Sequence, residues 1–320
     1  MNYFREKVDI SFKKTIKNLI KYVFLAIIFY YFFFYVYENW NKIDEYKYET
    51  DWFYLSISLL LLLLSFSLLP LSLRNIVKIF KCKISFKKVC LILFYSQFAK
   101  YLPGGVWGYV GRVYLYKKEG MSTGDASKSV LLETLLVLVS GIFISFGSLF
   151  FIDKLSSLEW LDNIYIRSVG ILISIILILF MHPKILNSLL DLMPAIINKN
   201  KVRFKYEFLS LLKPMLYLVI FWLGVGISFW FLIRSFIYID SVLLPMTTCA
   251  FIISWVIGLF VFFTPGGIGT REAVLIVVLN LHLPVYISAF IALMARIWWV
   301  LGELIWLFLS YLLNRFDSKA

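Results

Sequence analysis

Charge, cysteine and histidine are all scarce in this chain. Only 16% of its 320 residues are charged, where a soluble domain carries about 25%. Three are cysteine, and Cys82, Cys90 and Cys249 form no Cys-x-x-Cys pair. Cys82 and Cys90 fall in or beside a lysine-rich segment, which argues against a disulfide, and all three read as packing residues. His182 and His282 stand far apart, with no Cys, Asp or Glu at ligand spacing, which argues against zinc or haem. No Gly-x-x-x-x-Gly-Lys-Ser/Thr run occurs, so there is no ATP loop of that type. No cofactor and no metal is expected.

What the chain has in excess is apolar surface. Hydrophobic residues make up 61% and aromatic residues 19%. The net charge of +13 sits in short segments between long uncharged tracts. That is the pattern of membrane spans and loops; a nucleic-acid surface would interleave its cations with everything else. The basic N-terminus leads into an apolar run, Tyr22 to Tyr37, that lacks a small-residue cleavage site. It reads as an uncleaved first span.

A helix needs ~20 apolar residues to cross the hydrocarbon. Six stretches qualify: 18–38, 52–73, 128–152, 164–182, 214–236 and 285–312. Two more, 86–118 and 242–282, are broken by Leu102-Pro103-Gly104-Gly105 and by Thr264-Pro265-Gly266-Gly267-Ile268-Gly269. Lysine and arginine cluster at the N-terminus, in 74–88 and in 183–213, whereas 39–51 and 153–163 are acid-rich. By the positive-inside rule the basic segments and both termini face the cytoplasm.

Lys87 and Lys88 precede the first broken stretch and Lys117 and Lys118 follow it, so it enters and leaves on the cytoplasmic side. The second must then enter and leave outside. The fold expected is an all-α polytopic membrane helical bundle, with about six spans and two re-entrant Pro-Gly-Gly hairpins. It is one integral membrane domain, 1–320, made of inverted pseudo-repeat halves 1–155 and 156–320. Residues 242–263 are the weak point, because they are long enough to cross fully.

A Pro-Gly-Gly break leaves backbone amides unpaired at depth, and helix N-termini aim those amides at whatever sits there. Each tip is therefore either a plain reversal or a cradle for an anionic phosphate. Charges in the apolar tracts are costly, ~2.5–3.5 kcal/mol each at the bilayer centre. They are Arg112 after the first tip, Arg271 and Glu272 after the second, Glu133 early in its span, and Arg296 and Glu303 in the last span. They either meet an anionic headgroup or pair internally to lock hairpin to span. The candidate lipid-binding set is Gly104, Gly105, Arg112, Glu133, Gly266, Gly267, Arg271, Glu272, Arg296 and Glu303, with Gly269 at the second tip. Arg296 and Glu303 share a helix face two turns apart, too far to bond each other.

Other residues near the motifs read as support. Trp107, Tyr109, Tyr114 and Tyr116 suit interface anchoring. Trp298 and Trp299 suit bundle packing, and Ser127 and Ser129 suit a helix cap. Segment 184–212 mixes lysine with apolar residues and reads as amphipathic on the inner leaflet.

The run Lys100-Tyr101-Leu102-Pro103-Gly104-Gly105-Val106-Trp107-Gly108-Tyr109-Val110-Gly111-Arg112, followed by Ser129 to Glu133, resembles the transmembrane region of lysylphosphatidylglycerol synthases. So does Pro265-Gly266-Gly267-Ile268-Gly269-Thr270-Arg271-Glu272. The resemblance covers about 10–315 and implies lipid handling or translocation. The separate aminoacylating domain of the synthases is not seen here. The expectation is a flippase-like transporter of the cytoplasmic membrane that is not an enzyme. Its partner is a membrane lipid, anionic and phospho- or polyprenyl-linked. No nucleic acid is expected, and a second copy of the chain or an envelope-biosynthesis protein stays open as a partner. The alternatives are a membrane transferase acting on a lipid-linked envelope glycan precursor and a non-transporting assembly partner.

Overall fold

The structure, a computed structural model, describes residues 50–101, 106–151, 164–192, 203–261 and 264–317. The span expected at 18–38 and the first tip, with Gly104 and Gly105, lie outside the described residues. Within them every regular element is helical. Hydrocarbon allows little else, since a helix pairs its own backbone groups.

Among the described residues, ten α-helices follow in order: α1 Trp52–Ile79, α2 Phe86–Phe98, α3 Trp107–Lys118, α4 Thr123–Ser148, α5 Ile164–Phe180, α6 Pro183–Leu192, α7 Leu212–Arg234, α8 Leu244–Phe260, α9 Thr270–Leu279 and α10 Val285–Asp317. Side chains mark several starts. Asp51 accepts from the amides of Phe53 at 2.9 Å and Tyr54 at 3.3 Å, capping α1. The α4 cap is Ser122, which accepts from the Asp125 amide at 3.0 Å. Ser127 and Ser129, expected as caps, lie inside α4, because the helix begins a full turn earlier than the apolar run suggests.

Among the described residues, five helical segments are long and apolar enough to cross a membrane: Trp52–Ile79, Thr123–Phe151, Phe208–Arg234, Ser241–Phe260 and Val285–Arg315. Two expected stretches bear on that set. The stretch expected at 164–182 has 17 described helical residues, Ile164–Phe180, at the lower end of spanning length. The segment Ser241–Phe260, expected as one arm of the second hairpin though long enough to cross, has 20 residues and is itself of spanning length. The other arms, α2 with 13 residues, α3 with 12 and α9 with 10, are too short to span.

Lipid tails are as apolar as leucine, so helices in a bilayer gain little from hydrophobic burial and associate through close packing and polar contacts. The crossing of α1 and α7 shows both. Ser58 Oγ donates to the Ser228 carbonyl at 2.7 Å and Ser228 Oγ donates to the Ser58 carbonyl at 2.5 Å. At Gly224 a Cβ would come within 2.3 Å of Ser65 Oγ, so a larger residue there would force the Ser65 hydroxyl aside. Around the crossing, α2 packs with α3 and α8 with α9 as two hairpins. α3 lies on α4 and α9 on α10, while α2 also packs against α10 and α8 against α4. Each helix pair thus touches both α4 and α10. The short turns Ala99–Tyr101 and Pro265–Gly267 meet between them.

Candidate functional site

Where the turns meet, three carboxylates organise the charged side chains. Glu133 on α4 holds Arg112 of α3: Arg112 Nη1 donates to its two oxygens at 2.5 and 2.6 Å. Arg112 Nε donates to Ser96 Oγ of α2 at 3.0 Å. Arg112 and Glu133 are 5% and 9% exposed, so this pair ties the hairpin to its neighbouring span in low dielectric.

Glu303 on α10 gathers the first turn. It accepts from Lys100 Nζ in an ion pair, from Tyr101 OH at 3.1 Å and from Trp299 Nε1 at 2.8 Å. Trp299, expected as plain packing, therefore has a polar role set by its position one turn before Glu303. Glu272 gathers the second turn. It accepts from the Gly269 amide at 2.7 Å and lies 3.5 Å from Arg296 Nε. Gly269 has φ of 85°, a left-handed conformation that a side chain would resist. The helix N-terminus of α9 is thus answered by the chain's own carboxylate, and its amides are less open than a bare tip implies. Arg296 Nη2 also donates to the Gly266 carbonyl at 3.3 Å.

Arg271 differs from the other three cations. It has no ion-pair partner among the described residues, and its buried Nε has no hydrogen-bond partner. The guanidinium sits 5.2 Å from the Trp255 ring centroid, a cation–π contact. Its stem lies between two glycines: a Cβ would stand 2.3 Å from its Cγ at Gly258 and 2.7 Å from its Nε at Gly267.

These groups enclose a cavity of about 110 Å³, lined among others by Lys100, Arg112, Glu133, Gly266, Gly267, Arg271 and Glu303. A second cavity of about 30 Å³ adjoins it through Arg271 and includes Glu272 and Arg296. At formal charge the linked cavities hold four cations, Lys100, Arg112, Arg271 and Arg296, against Glu133, Glu272 and Glu303. One positive charge is in surplus, and the pairing leaves it on Arg271.

Eight of the ten candidate residues thus lie in one connected region. Gly104 and Gly105 are outside the described residues. Lys100, Tyr101, Trp255, Gly258 and Trp299 belong to the region but were not in the candidate set. Lys100 and Tyr101 open the first motif, which was the available signal. Tyr116, expected at an interface, is fully buried, whereas Trp107 is 48% and Tyr114 57% exposed. Among the described residues no group of three His, Cys, Asp or Glu side chains could hold a metal.

Residues 18–315 match the family model of the lysylphosphatidylglycerol synthase transmembrane region. No curated protein matches the chain. The family is named after a lipid-modifying enzyme, and this overturns the expectation that the chain is not an enzyme. With the match running over nearly its whole length and five helices of spanning length, this chain is a membrane protein of the lysylphosphatidylglycerol synthase transmembrane-region family.

Proposed function

We propose that the chain binds the phosphate of an anionic lipid, phospho- or polyprenyl-linked, between its two hairpin turns and carries that lipid between the leaflets of the cytoplasmic membrane. The observation behind this reading is Arg271, a half-buried cation whose buried Nε is unpartnered and which has no carboxylate partner among the described residues, facing a chamber with one positive charge in surplus. A guanidinium presents its donors in a planar fork that matches phosphate oxygens. Arg112 and Arg296, held by Glu133 and Glu272, add positive potential beside it. The acyl chains stay in the bilayer, and the halves 1–155 and 156–320 rock about the α1–α7 crossing to open the chamber to each side in turn. The reciprocal Ser58–Ser228 bonds and the exchange of hairpin contacts support an inverted repeat, since a two-fold axis generates such swapped pairs. Both termini then face the cytoplasm.

The test is lipid movement by purified protein in vesicles, followed by chemical quenching of a fluorescent phosphatidylglycerol. Arg271→Ala should slow it by roughly tenfold to a hundredfold, the worth of one charge-assisted hydrogen bond. Wild-type rates in a folded Arg271→Ala protein would overturn the proposal. Gly258→Ala should reproduce about a tenfold part of that loss, because the new methyl displaces the Arg271 stem, while helix propensity slightly favours alanine. A thermal midpoint close to wild type, with slowed lipid movement, is the expected pairing.

The family's name favours a second reading, in which the chain takes part in chemistry on the lipid. Incubation with a labelled group donor in the same vesicles distinguishes them: a labelled lipid product formed without movement supports the second.

A further inference from the structure

We infer that a second phosphate site, for anionic lipid headgroups of the cytoplasmic leaflet, lies at one end of the bundle, apart from the central chamber. Two open grooves of about 570 and 700 Å³ meet there and share Lys81. Lys128, Arg203 and Lys205 line the first. Arg74, Lys78 and Lys83 line the second. Asp125 is the one carboxylate lining either groove among the described residues, and it is already paired with Lys128 at 2.5 Å.

The cations stand on a rigid frame. Phe204 is 2% exposed, and its amide and carbonyl are both held by the Asn187 side chain, at 2.8 and 2.9 Å. Arg203 and Lys205 flank that anchored residue and both line the groove. Lys81, just past the end of α1, has φ of 59°, the left-handed position that glycine or asparagine usually fills. Here the chain places a lysine in that conformation, at the junction of the grooves. The buried Nε of Arg74 has no hydrogen-bond partner among the described residues.

The occupant is a lipid headgroup because of depth. Arg74 and Lys78 are on the last turns of Trp52–Ile79, a helix of spanning length, so the grooves open where headgroup phosphates lie.

The test uses the full chain in zwitterionic detergent, titrated with phosphatidylglycerol or phosphatidylcholine while its thermal midpoint is followed. Phosphatidylglycerol should raise the midpoint and phosphatidylcholine should not. At about fivefold per cation, the triple variant Lys81→Asn, Arg203→Gln, Lys205→Gln should weaken the apparent affinity by about a hundredfold. Asparagine suits φ of 59°, so the lipid-free midpoint should hold. The independent pair Lys83→Gln and Lys128→Gln should cost about 25-fold, and it decides the matter if the triple variant does not fold. Arg271→Ala should keep the groove's response. Unchanged affinity in the groove variants, loss of the response in Arg271→Ala alone, or an equal shift from inorganic phosphate would each overturn the inference.

Discussion

Glu133→Ala is expected to destabilise the protein by about 3–5 kcal/mol, because it leaves the Arg112 guanidinium buried without its counter-charge. Arg112 would keep Ser96 Oγ, a neutral acceptor that cannot offset the loss. The double variant Arg112→Met, Glu133→Leu should recover most of that stability, since apolar groups of similar volume replace a buried pair at little cost. Thermal unfolding in detergent measures both. Equal destabilisation of the single and double variants would show that the pair is not a self-contained lock between α3 and α4. Lipid movement by the folded double variant then reports whether Arg112 also serves the headgroup. A lock alone predicts near wild-type rates.

Glu303→Ala should be comparably damaging, about 3–5 kcal/mol, since three donors converge on that carboxylate. Lys100, Tyr101 and Trp299 would all lose their acceptor. Glu303→Gln separates the parts: the amide oxygen can still accept from Tyr101 or Trp299, but the ion pair with Lys100 is gone. Its midpoint should fall between those of wild type and Glu303→Ala. Because Glu303 anchors the turn that meets Pro265–Gly267, lipid movement should fall in the same order. Matching midpoints for the Ala and Gln variants would show that the ion pair supplies the whole effect.

The bundle was legible in the sequence to the extent that local features dictate it. Long uncharged tracts read as spans, and the Pro265-Gly266-Gly267 break separates α8 from α9, because both act through neighbouring residues. Boundaries were less legible: Ser122 rather than Ser127 or Ser129 caps α4, since a helix can extend past its apolar stretch into polar residues. The charged site was legible as residues but not as pairs. Lys100 looks like an ordinary interface lysine, and its partner Glu303 is 203 positions away. Tyr116 carries the residue type of an interface anchor, yet tertiary packing buries it completely. Nothing local to Gly258 announces that the Arg271 stem passes over it.

Surplus charge at bilayer depth couples a carrier to voltage. On the proposed transport cycle, an unloaded chamber with four cations and three carboxylates would move one net positive charge through part of the electric field each time it switched sides, worth up to ~2.3 kcal/mol per 100 mV. A seated phosphodiester would make the loaded chamber neutral, so that proposed step would escape the field. An inside-negative potential would then pull the unloaded form toward the cytoplasmic face, making the return stroke, not the lipid-carrying one, the electrically driven half of the cycle.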